Sequence, residues 1–339
     1  MITIKELHQR YQSGEITPQK YILDAINTIR SISSEEKDPA WISIATDAQI
    51  SKQLKNLDLL SKEKSIAQIP LYGIPFAIKD NIDAYEWETT AACPDFAFEP
   101  AKNATVVQKL IDAGAILLGK TNLDQFATGL VGTRSPYGAV PNTFDPKYVS
   151  GGSSSGSASV VARGLVCFSL GTDTAGSGRI PAAFNNIVGT KPTPGLVSTE
   201  GVFPACKTLD CVSIMTLTAA DANIVLDVMK SNAQDRAIEA QFHPIPKTIS
   251  SFARPIRIGI PSSCQFLDDG RYQKSFNNAI ENVKGLDVEF VQVDIDPFVK
   301  AGKLLYDGPW VAERFAVTED FLNSHPDSFD PSVKKIVQS

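Results

Sequence analysis

Histidine is scarce in this chain, and its three residues stand in places that do not suit catalysis. His8 lies in a segment with helical periodicity, while His243 and His325 each precede a proline in a polar connector. A Ser-His-Asp hydrolase needs an imidazole base, and a zinc hydrolase needs clustered ligands such as those of an HExxH helix. The sequence therefore argues against both classes of enzyme.

Cysteine is also sparse, and its spacing contains no CxxC pair. The five residues are Cys93, Cys167, Cys206, Cys211 and Cys264. An odd number without paired spacing supports neither a disulfide framework nor a zinc site. The sequence has no apolar run of 18 residues, and its N-terminus lacks the apolar core of a signal peptide. We therefore expect a cytoplasmic protein without a membrane partner.

Basic residues are not in excess, because the net charge of the 339 residues is −6 and the pI is near 5.2. Phosphate backbones are bound by clustered Lys and Arg, so we expect no nucleic-acid partner and favour a small-molecule substrate. The 43% apolar content predicts a globular chain with a large core or two domains.

Glycine and serine are concentrated in residues 150–192. Two small loops, Gly151–Ser157 and Gly171–Ser177, flank the apolar run Leu165–Leu170, which has the length and composition of a buried strand. Glycine loops expose backbone N–H groups, as phosphate cradles and oxyanion holes require. Pro181 favours a helix start just after Ser177, where developing negative charge is stabilised. We interpret this segment as the active site.

Two other patterns in the sequence are typical of a Ser-His-Asp hydrolase and of a nucleotide-binding loop. Neither lies between the secondary-structure elements that its function requires. Gly152–Gly156 matches G-x-S-x-G, but a loop rather than an apolar strand precedes it. Gly114–Thr121 matches the Walker A spacing, but its inner residues form an apolar strand instead of a flexible loop. A nucleotide-binding protein remains an alternative of a different class.

A serine nucleophile without histidine needs another base, and a lysine can serve where burial disfavours its charged form. Lys79 directly follows the apolar stretch Ile69–Ile78 and is the candidate. The residues alone do not rank Ser153, Ser154, Ser155 and Ser177 as nucleophiles.

Three blocks of this sequence together resemble the signature of the Ser-cisSer-Lys amidases: Gly151–Ser157, Gly171–Arg179 and Gly189–Thr193. The run Gly73–Asn81 also resembles the segment that carries the catalytic lysine of that family. The resemblance covers nearly the whole chain. It implies an α/β fold, with one large mixed sheet flanked by helices on both faces.

The resemblance also implies the roles of individual residues. Lys79 would take a proton from Ser153, which follows a cis peptide bond, and Ser153 would take one from the nucleophile Ser177. The backbone N–H groups of Thr174, Ala175, Gly176 and Ser177 would form the oxyanion hole. Asp173 and Arg179 would brace these loops. No metal or organic cofactor is implied.

Two further segments, Lys120–Gly138 and Ser198–Cys211, resemble the allophanate hydrolases more than the family at large. This resemblance implies hydrolysis of allophanate with release of ammonia, the second step of ATP-dependent urea breakdown. It assigns substrate binding to Gly129, Tyr306 and Arg314, and an Arg fork suits a planar carboxylate. Alternatives within the family are a general amidase and the glutaminase subunit of a tRNA amidotransferase. An inactive scaffold member is a further alternative.

The organisation of the chain is predicted as an N-terminal helical segment, residues 1–60, and an amidase core, residues 61–339. A helix from Asp330 reaches Ser339 without a stop signal, so we expect an incomplete C-terminal end. Fusion to, or cooperation with, a biotin-dependent urea carboxylase would fit that expectation. We also expect a homodimer.

Local patterns predict several elements outside the site. Residues 3–34 read as two helices, the first capped by Thr3 and the second by Thr17. Residues 256–293 read as a β-α-β unit, and Leu304–Leu322 as one helix.

Overall fold

The computed structural model describes residues 1–230, 254–266 and 270–339. The chain divides into two compact units, one of Met1–Ala240 with Trp310–Ser339 and one of Gln241–Pro309. The predicted boundary between residues 60 and 61 stays a prediction.

The helices within the described residues are α1 Ile4–Gln12, α2 Pro18–Glu36, α3 Asp47–Glu63, α4 Thr105–Asp112, α5 Ser155–Ala162, α6 Arg179–Phe184, α7 Ala219–Met229, α8 Arg271–Val283, α9 Asp296–Asp307, α10 Trp310–Ser324 and α11 Pro331–Val337. The strands are β1 Trp41–Ile44, β2 Pro75–Lys79, β3 Ile116–Thr121, β4 Phe168–Thr172, β5 Val188–Thr190, β6 Val212–Thr216, β7 Ile256–Pro261 and β8 Val288–Val293.

The sheet of the larger unit is mixed, with the strand order β1-β3-β2-β4-β6-β5. Strand β2 pairs in parallel with both β3 and β4, and the remaining neighbours pair antiparallel. The central strands are buried along their whole length, as expected when helices cover a parallel core. Phe76 stacks on Phe168 across β2 and β4, with ring centroids 5.2 Å apart. The predicted α/β class with a mixed sheet is confirmed.

The N-terminal helices form where the sequence predicts them. Thr3 closes a capping box on α1, and the Thr17 hydroxyl accepts the Lys20 N–H at the start of α2. Ile4 and Ile22 are fully buried in the hydrophobic cluster that also contains Phe76 of the sheet. The apolar faces of these helices therefore extend the same core.

Helix α5 begins at Ser155, within a segment that composition predicts to be a loop. The glycines and serines serve here for close packing: a Cβ on Gly156 would collide with the Ala40 carbonyl oxygen. The predicted strand 165–170 is also displaced, because β4 begins at Phe168 and runs to Thr172.

The predicted helix Leu304–Leu322 is wrong in its extent. The chain forms α9 and α10, which are separated at Gly308 and Pro309 and belong to different units. Proline disfavours helical backbone in the residue before it, which explains the break. The β-α-β prediction is confirmed, because β7 and β8 pair in parallel with α8 between them. The polar connector that contains His243 lies outside the described residues.

Strand β3 carries the lysine of the Walker-like pattern. Lys120 is fully buried, and its Nζ lies 3.2 Å from the Asp80 carboxylate. This lysine is committed to an ion pair inside the sheet and does not extend from a phosphate loop. No helix in the described ranges combines the length and apolar character needed to span a bilayer.

Candidate active site

The site is built where two neighbouring parallel strands end. Lys79 is the last residue of β2 and Thr172 the last of β4, and the carboxyl ends of parallel neighbours lie at one edge of a sheet. The Lys79 Nζ donates to the Thr172 Oγ1 at 2.7 Å and to the Ser153 Oγ at 2.7 Å. Sheet topology thus brings together side chains that are far apart in the sequence.

Lys79 is fully buried, and its environment favours the neutral amine. Burial lowers the pKa of Lys79 from 10.5 to about 7, against the raising effect of the negative charges of Asp124, Asp210 and Asp173. A large fraction of this amine is therefore neutral near pH 7. A neutral amine beside a serine hydroxyl can act as a base.

Ser153 is presented to Lys79 by a tightly held loop. The Gly152–Ser153 peptide bond is cis, as the family resemblance implies. The Gly152 N–H donates to the Leu130 carbonyl at 2.8 Å, and the Ser153 carbonyl accepts the Asp124 N–H at 3.0 Å. Both neighbours of the cis bond are thereby anchored to the segment 124–130.

Ser177 lies two residues before α6 and is 4% exposed. Its carbonyl accepts the Ser154 N–H at 3.1 Å, so the two serine loops are in direct contact. Its hydroxyl donates to the Gly129 carbonyl at 3.4 Å, and no hydrogen bond within the described ranges joins it to the Ser153 hydroxyl. A proton relay through both serines therefore requires rotation of the Ser177 side chain.

The loop before Ser177 offers backbone N–H groups as anion donors. Gly176 N–H is already engaged, because it donates to the Asp173 Oδ1 at 2.8 Å. The N–H groups of Thr174, Ala175 and Ser177 have no acceptor in the part of the chain that the structure describes. Three of the four donors expected from the sequence are thus open.

The Asp173 carboxylate holds this loop by hydrogen bonds. Its carboxylate accepts N–H groups from Gly176, Gly178 and Arg179 and a two-point contact from the Arg179 guanidinium. Burial alone raises the pKa of Asp173, but hydrogen bonding from Arg179 and the charges of Lys191 and Arg179 lower it to about 2. Asp173 is therefore an anion at neutral pH. The predicted bracing by Asp173 and Arg179 is confirmed.

Arg314 lies in α10 and is 4% exposed. Its Nη1 donates to the Thr128 Oγ1 at 3.0 Å, next to Gly129. Burial raises the pKa of Asp210, and the positive charge of Arg314 acts in the opposite direction. Arg314 is therefore a buried cation near the serine loops. The side chain of Tyr306 lies outside the described residues.

Sequence reasoning missed several residues that support the site. Thr172 shares the Lys79 amine, and Lys191 donates to the Thr174 carbonyl at 2.7 Å. The Asp124 carboxylate accepts three consecutive backbone N–H groups, each at 3.0 Å, from Gly132 to Arg134. The sequence did not single out Asp124, because its hydrogen-bond partners lie 8 to 10 residues later in the chain. Across the described ranges, no group of three or more His, Cys, Asp or Glu side chains could hold a metal ion.

Known proteins are similar to this chain over most of its length. The Amidase family model matches residues 28–339. The chain is 46% identical over 329 residues to urea amidolyase of Lachancea kluyveri, covering 96% of this chain and 18% of that protein. It is 36% identical over 322 residues to a glutamyl-tRNA(Gln) amidotransferase subunit of Lactobacillus acidophilus, covering 94% of this chain and 62% of that protein.

The solved structure of Kluyveromyces lactis allophanate hydrolase matches with a TM-score of 0.88 at 42% identity. The match covers 99% of this chain and 54% of that one, so this chain spans about half of its length. With the family match extending over residues 28–339, the chain belongs to the amidase family.

Proposed function

We propose that this chain hydrolyses allophanate and releases ammonia, with Ser177 as the nucleophile. The observation that carries the proposal is the contact of 2.7 Å between the Lys79 Nζ and the Ser153 Oγ, with the pKa of that buried lysine lowered to about 7. A base of this kind activates a serine without histidine. The three histidines of the chain are then not needed.

The first half of the reaction forms an acyl-enzyme. Ser177 rotates toward Ser153 and gives it its proton, while Ser153 gives its own to the neutral Lys79. The Ser177 oxygen attacks the amide carbonyl carbon, and the N–H groups of Thr174, Ala175 and Ser177 stabilise the oxyanion. The Gly176 N–H is held by Asp173 and supports the loop instead.

The second half releases the products. The amino group of the tetrahedral adduct takes a proton back from Lys79 through Ser153 and leaves as ammonia when its bond to carbon breaks. Water then enters, gives a proton to the same relay, and attacks the ester carbonyl. Collapse of the second adduct returns the proton to the Ser177 oxygen and frees the acid.

The choice of allophanate is supported by Arg314 and by the relatives. Allophanate carries a carboxylate, and a buried guanidinium can bind it through two parallel hydrogen bonds. Gly129 contributes a backbone wall. The family resemblance also assigns substrate binding to Tyr306, and this assignment stays a prediction. The similar Kluyveromyces lactis protein is an allophanate hydrolase, and the similar Lachancea kluyveri protein is a urea amidolyase.

The test is ammonia release from allophanate, glutamine and propionamide by wild type, Ser177→Ala and Arg314→Gln. We expect allophanate to be the best substrate and Ser177→Ala to be inactive. Arg314→Gln should lower kcat/KM for allophanate by about 10- to 100-fold while sparing propionamide, because only the anion loses a charged partner. Equal activity of wild type and Ser177→Ala would refute the nucleophile.

A second candidate is the glutaminase subunit of a tRNA amidotransferase, favoured by the 36% identity to such a protein. Glutamine would then be hydrolysed faster than allophanate in the same assay. A preference for propionamide would instead indicate a general amidase.

We also propose a cytoplasmic homodimer that acts with, or is joined to, a biotin-dependent urea carboxylase. The urea amidolyase relative is several times longer than the matched region, since the match covers 18% of it. Light scattering after gel filtration measures the mass of the assembly. Urea-dependent ammonia release with purified carboxylase and ATP tests the coupling.

A further inference from the structure

Each open N–H of the oxyanion loop belongs to a peptide group whose carbonyl is held on its other side. The Asp173 carbonyl accepts the Cys211 N–H at 3.3 Å, and the Gly176 carbonyl accepts the Ile180 N–H at 2.8 Å. The Thr174 carbonyl differs, because it accepts the Lys191 ammonium at 2.7 Å. Among the described peptide groups that carry an open N–H in this loop, Thr174–Ala175 is therefore the one whose carbonyl is held by a charged side chain.

The geometry of a trans peptide makes this contact directional. The cis bonds in the described ranges are Gly152–Ser153 and Arg254–Pro255, so Thr174–Ala175 is trans and planar. In such a group the N–H points opposite to the C=O. With the Thr174 oxygen fixed on Lys191, the Ala175 N–H points away from Lys191.

Lys191 is itself well anchored. It follows β5, its side chain is 20% exposed, and its Nζ lies 3.4 Å from the Asp173 Oδ1. A charged donor on a carbonyl forms a short, strong hydrogen bond and polarises the peptide, which makes the N–H at the other end a better donor.

We propose that Lys191 is a positioning residue of the oxyanion hole, which orients and polarises the Ala175 N–H through the Thr174 carbonyl. This assigns a role to the third block of the family pattern, Gly189–Thr193. It rests on the proposed function only in requiring Ser177 to form a tetrahedral oxyanion.

The proposal predicts an effect on turnover rather than on substrate binding. Charge on the substrate oxygen is larger in the transition state than in the bound amide, so a weaker donor lowers kcat more than it changes KM. Loss of one whole oxyanion donor costs about 100- to 1000-fold in kcat, and misorientation of one should cost less.

The experiment compares Lys191→Met, Lys191→Gln and Lys191→Arg with a matched control, Lys109→Met. Lys109 also donates to a backbone carbonyl, that of Lys230 at 2.9 Å, but it lies in α4 and its partner directly follows α7, so neither belongs to the serine loops. We expect Lys191→Met to lower kcat about 10- to 100-fold with KM within about twofold. Lys191→Gln should be intermediate, Lys191→Arg should retain most activity, and Lys109→Met should match wild type in kcat.

Two results would overturn the proposal: wild-type kcat in Lys191→Met and Lys191→Gln, or a loss that appears equally in Lys109→Met. If Lys191→Met does not fold by circular dichroism, Lys191→Gln and Lys191→Arg decide. The acylation burst with p-nitrophenyl acetate, with Ser177→Ala as blank, provides a readout that needs no amide. If the wild type releases no ammonia from allophanate but shows a normal burst, the proposed substrate is rejected. The Lys191 variants can then still be compared by the burst.

Discussion

Lys79 sets the conditions under which the site can work, because its amine must be neutral to accept a proton. Burial is the main cause of its lowered pKa, and the negative charges of Asp124, Asp210 and Asp173 limit the effect. The value of about 7 places the change of charge within the physiological range. The activity of the enzyme should therefore respond to small changes in pH.

At this scale we predict the pH profile of kcat/KM. Lys79 is protonated below its pKa and cannot act as a base there, so activity should rise as pH increases through about 7 and then level off. Ammonia release in buffers of constant ionic strength measures the curve. A profile that rises only near pH 10, the range of an ordinary lysine, would contradict the assignment.

The sequence pointed to Lys79, Ser153 and Ser177 through its family resemblance, whereas its residues alone did not rank the serines. It could not identify Thr172 as a partner of Lys79 or Lys191 as a partner of Thr174. These contacts depend on which strands become neighbours, and that is decided by packing between distant segments. The single occupied donor, Gly176 N–H, was missed for the same reason.

Among the elements, helix α10 and Phe329, which lies between α10 and α11, contact the segment 124–130 through aromatic rings. Phe126 stacks on Phe329 at 4.9 Å and contacts Phe321 at 6.0 Å. Phe126 stands two residues before Thr128, which accepts the Arg314 guanidinium. These rings therefore connect the helix that carries Arg314 to the segment 124–130.

We predict that Phe329→Ala lowers the free energy of unfolding by about 3–5 kcal/mol, the usual cost of a large cavity in a core. Loosening of α10 should also raise KM for allophanate more than it lowers kcat. Urea denaturation and steady-state kinetics provide both readouts. Phe144→Ala is the control, since that ring is 69% exposed and its loss should change neither.

Local sequence predicted α1 and α2 because their caps and apolar periods are self-contained, as Thr3 and Thr17 show. It failed where two signals compete within one segment. Leu304–Leu322 has enough apolar residues for one helix, but Gly308 and Pro309 interrupt it. The serine-rich segment from Ser155 is helical because small side chains fit against the sheet, which composition alone does not reveal.

For the molecule as a whole, the sheet contains a costly feature in the Lys120–Asp80 pair. Both side chains are fully buried, and the Asp80 carboxylate also accepts the Thr90 N–H at 2.9 Å. The pair joins β3 to the residue after Lys79. Its integrity therefore affects both stability and the position of the base.

We predict that Lys120→Met lowers the free energy of unfolding by about 3–5 kcal/mol, because Asp80 is left as an unpaired buried charge. Adding Asp80→Asn should restore part of the loss. Equilibrium denaturation of the single and double variants measures this. Lys102→Met removes a surface pair with Glu200, whose side chains are 75% and 60% exposed, and should cost less than about 1 kcal/mol.

The parallel pairing of β2 with β4 joins segments that are far apart in the sequence, and Lys79 and Thr172 are 93 positions apart. Lys79 and Thr172 stay apart until that pairing is complete, so a nascent or partly refolded polypeptide has no assembled base. Long-range strand pairing is slow compared with helix formation. After dilution from denaturant, amide-cleaving capacity should therefore return later than the far-ultraviolet helical signal, and immature chains should leave cellular amides untouched.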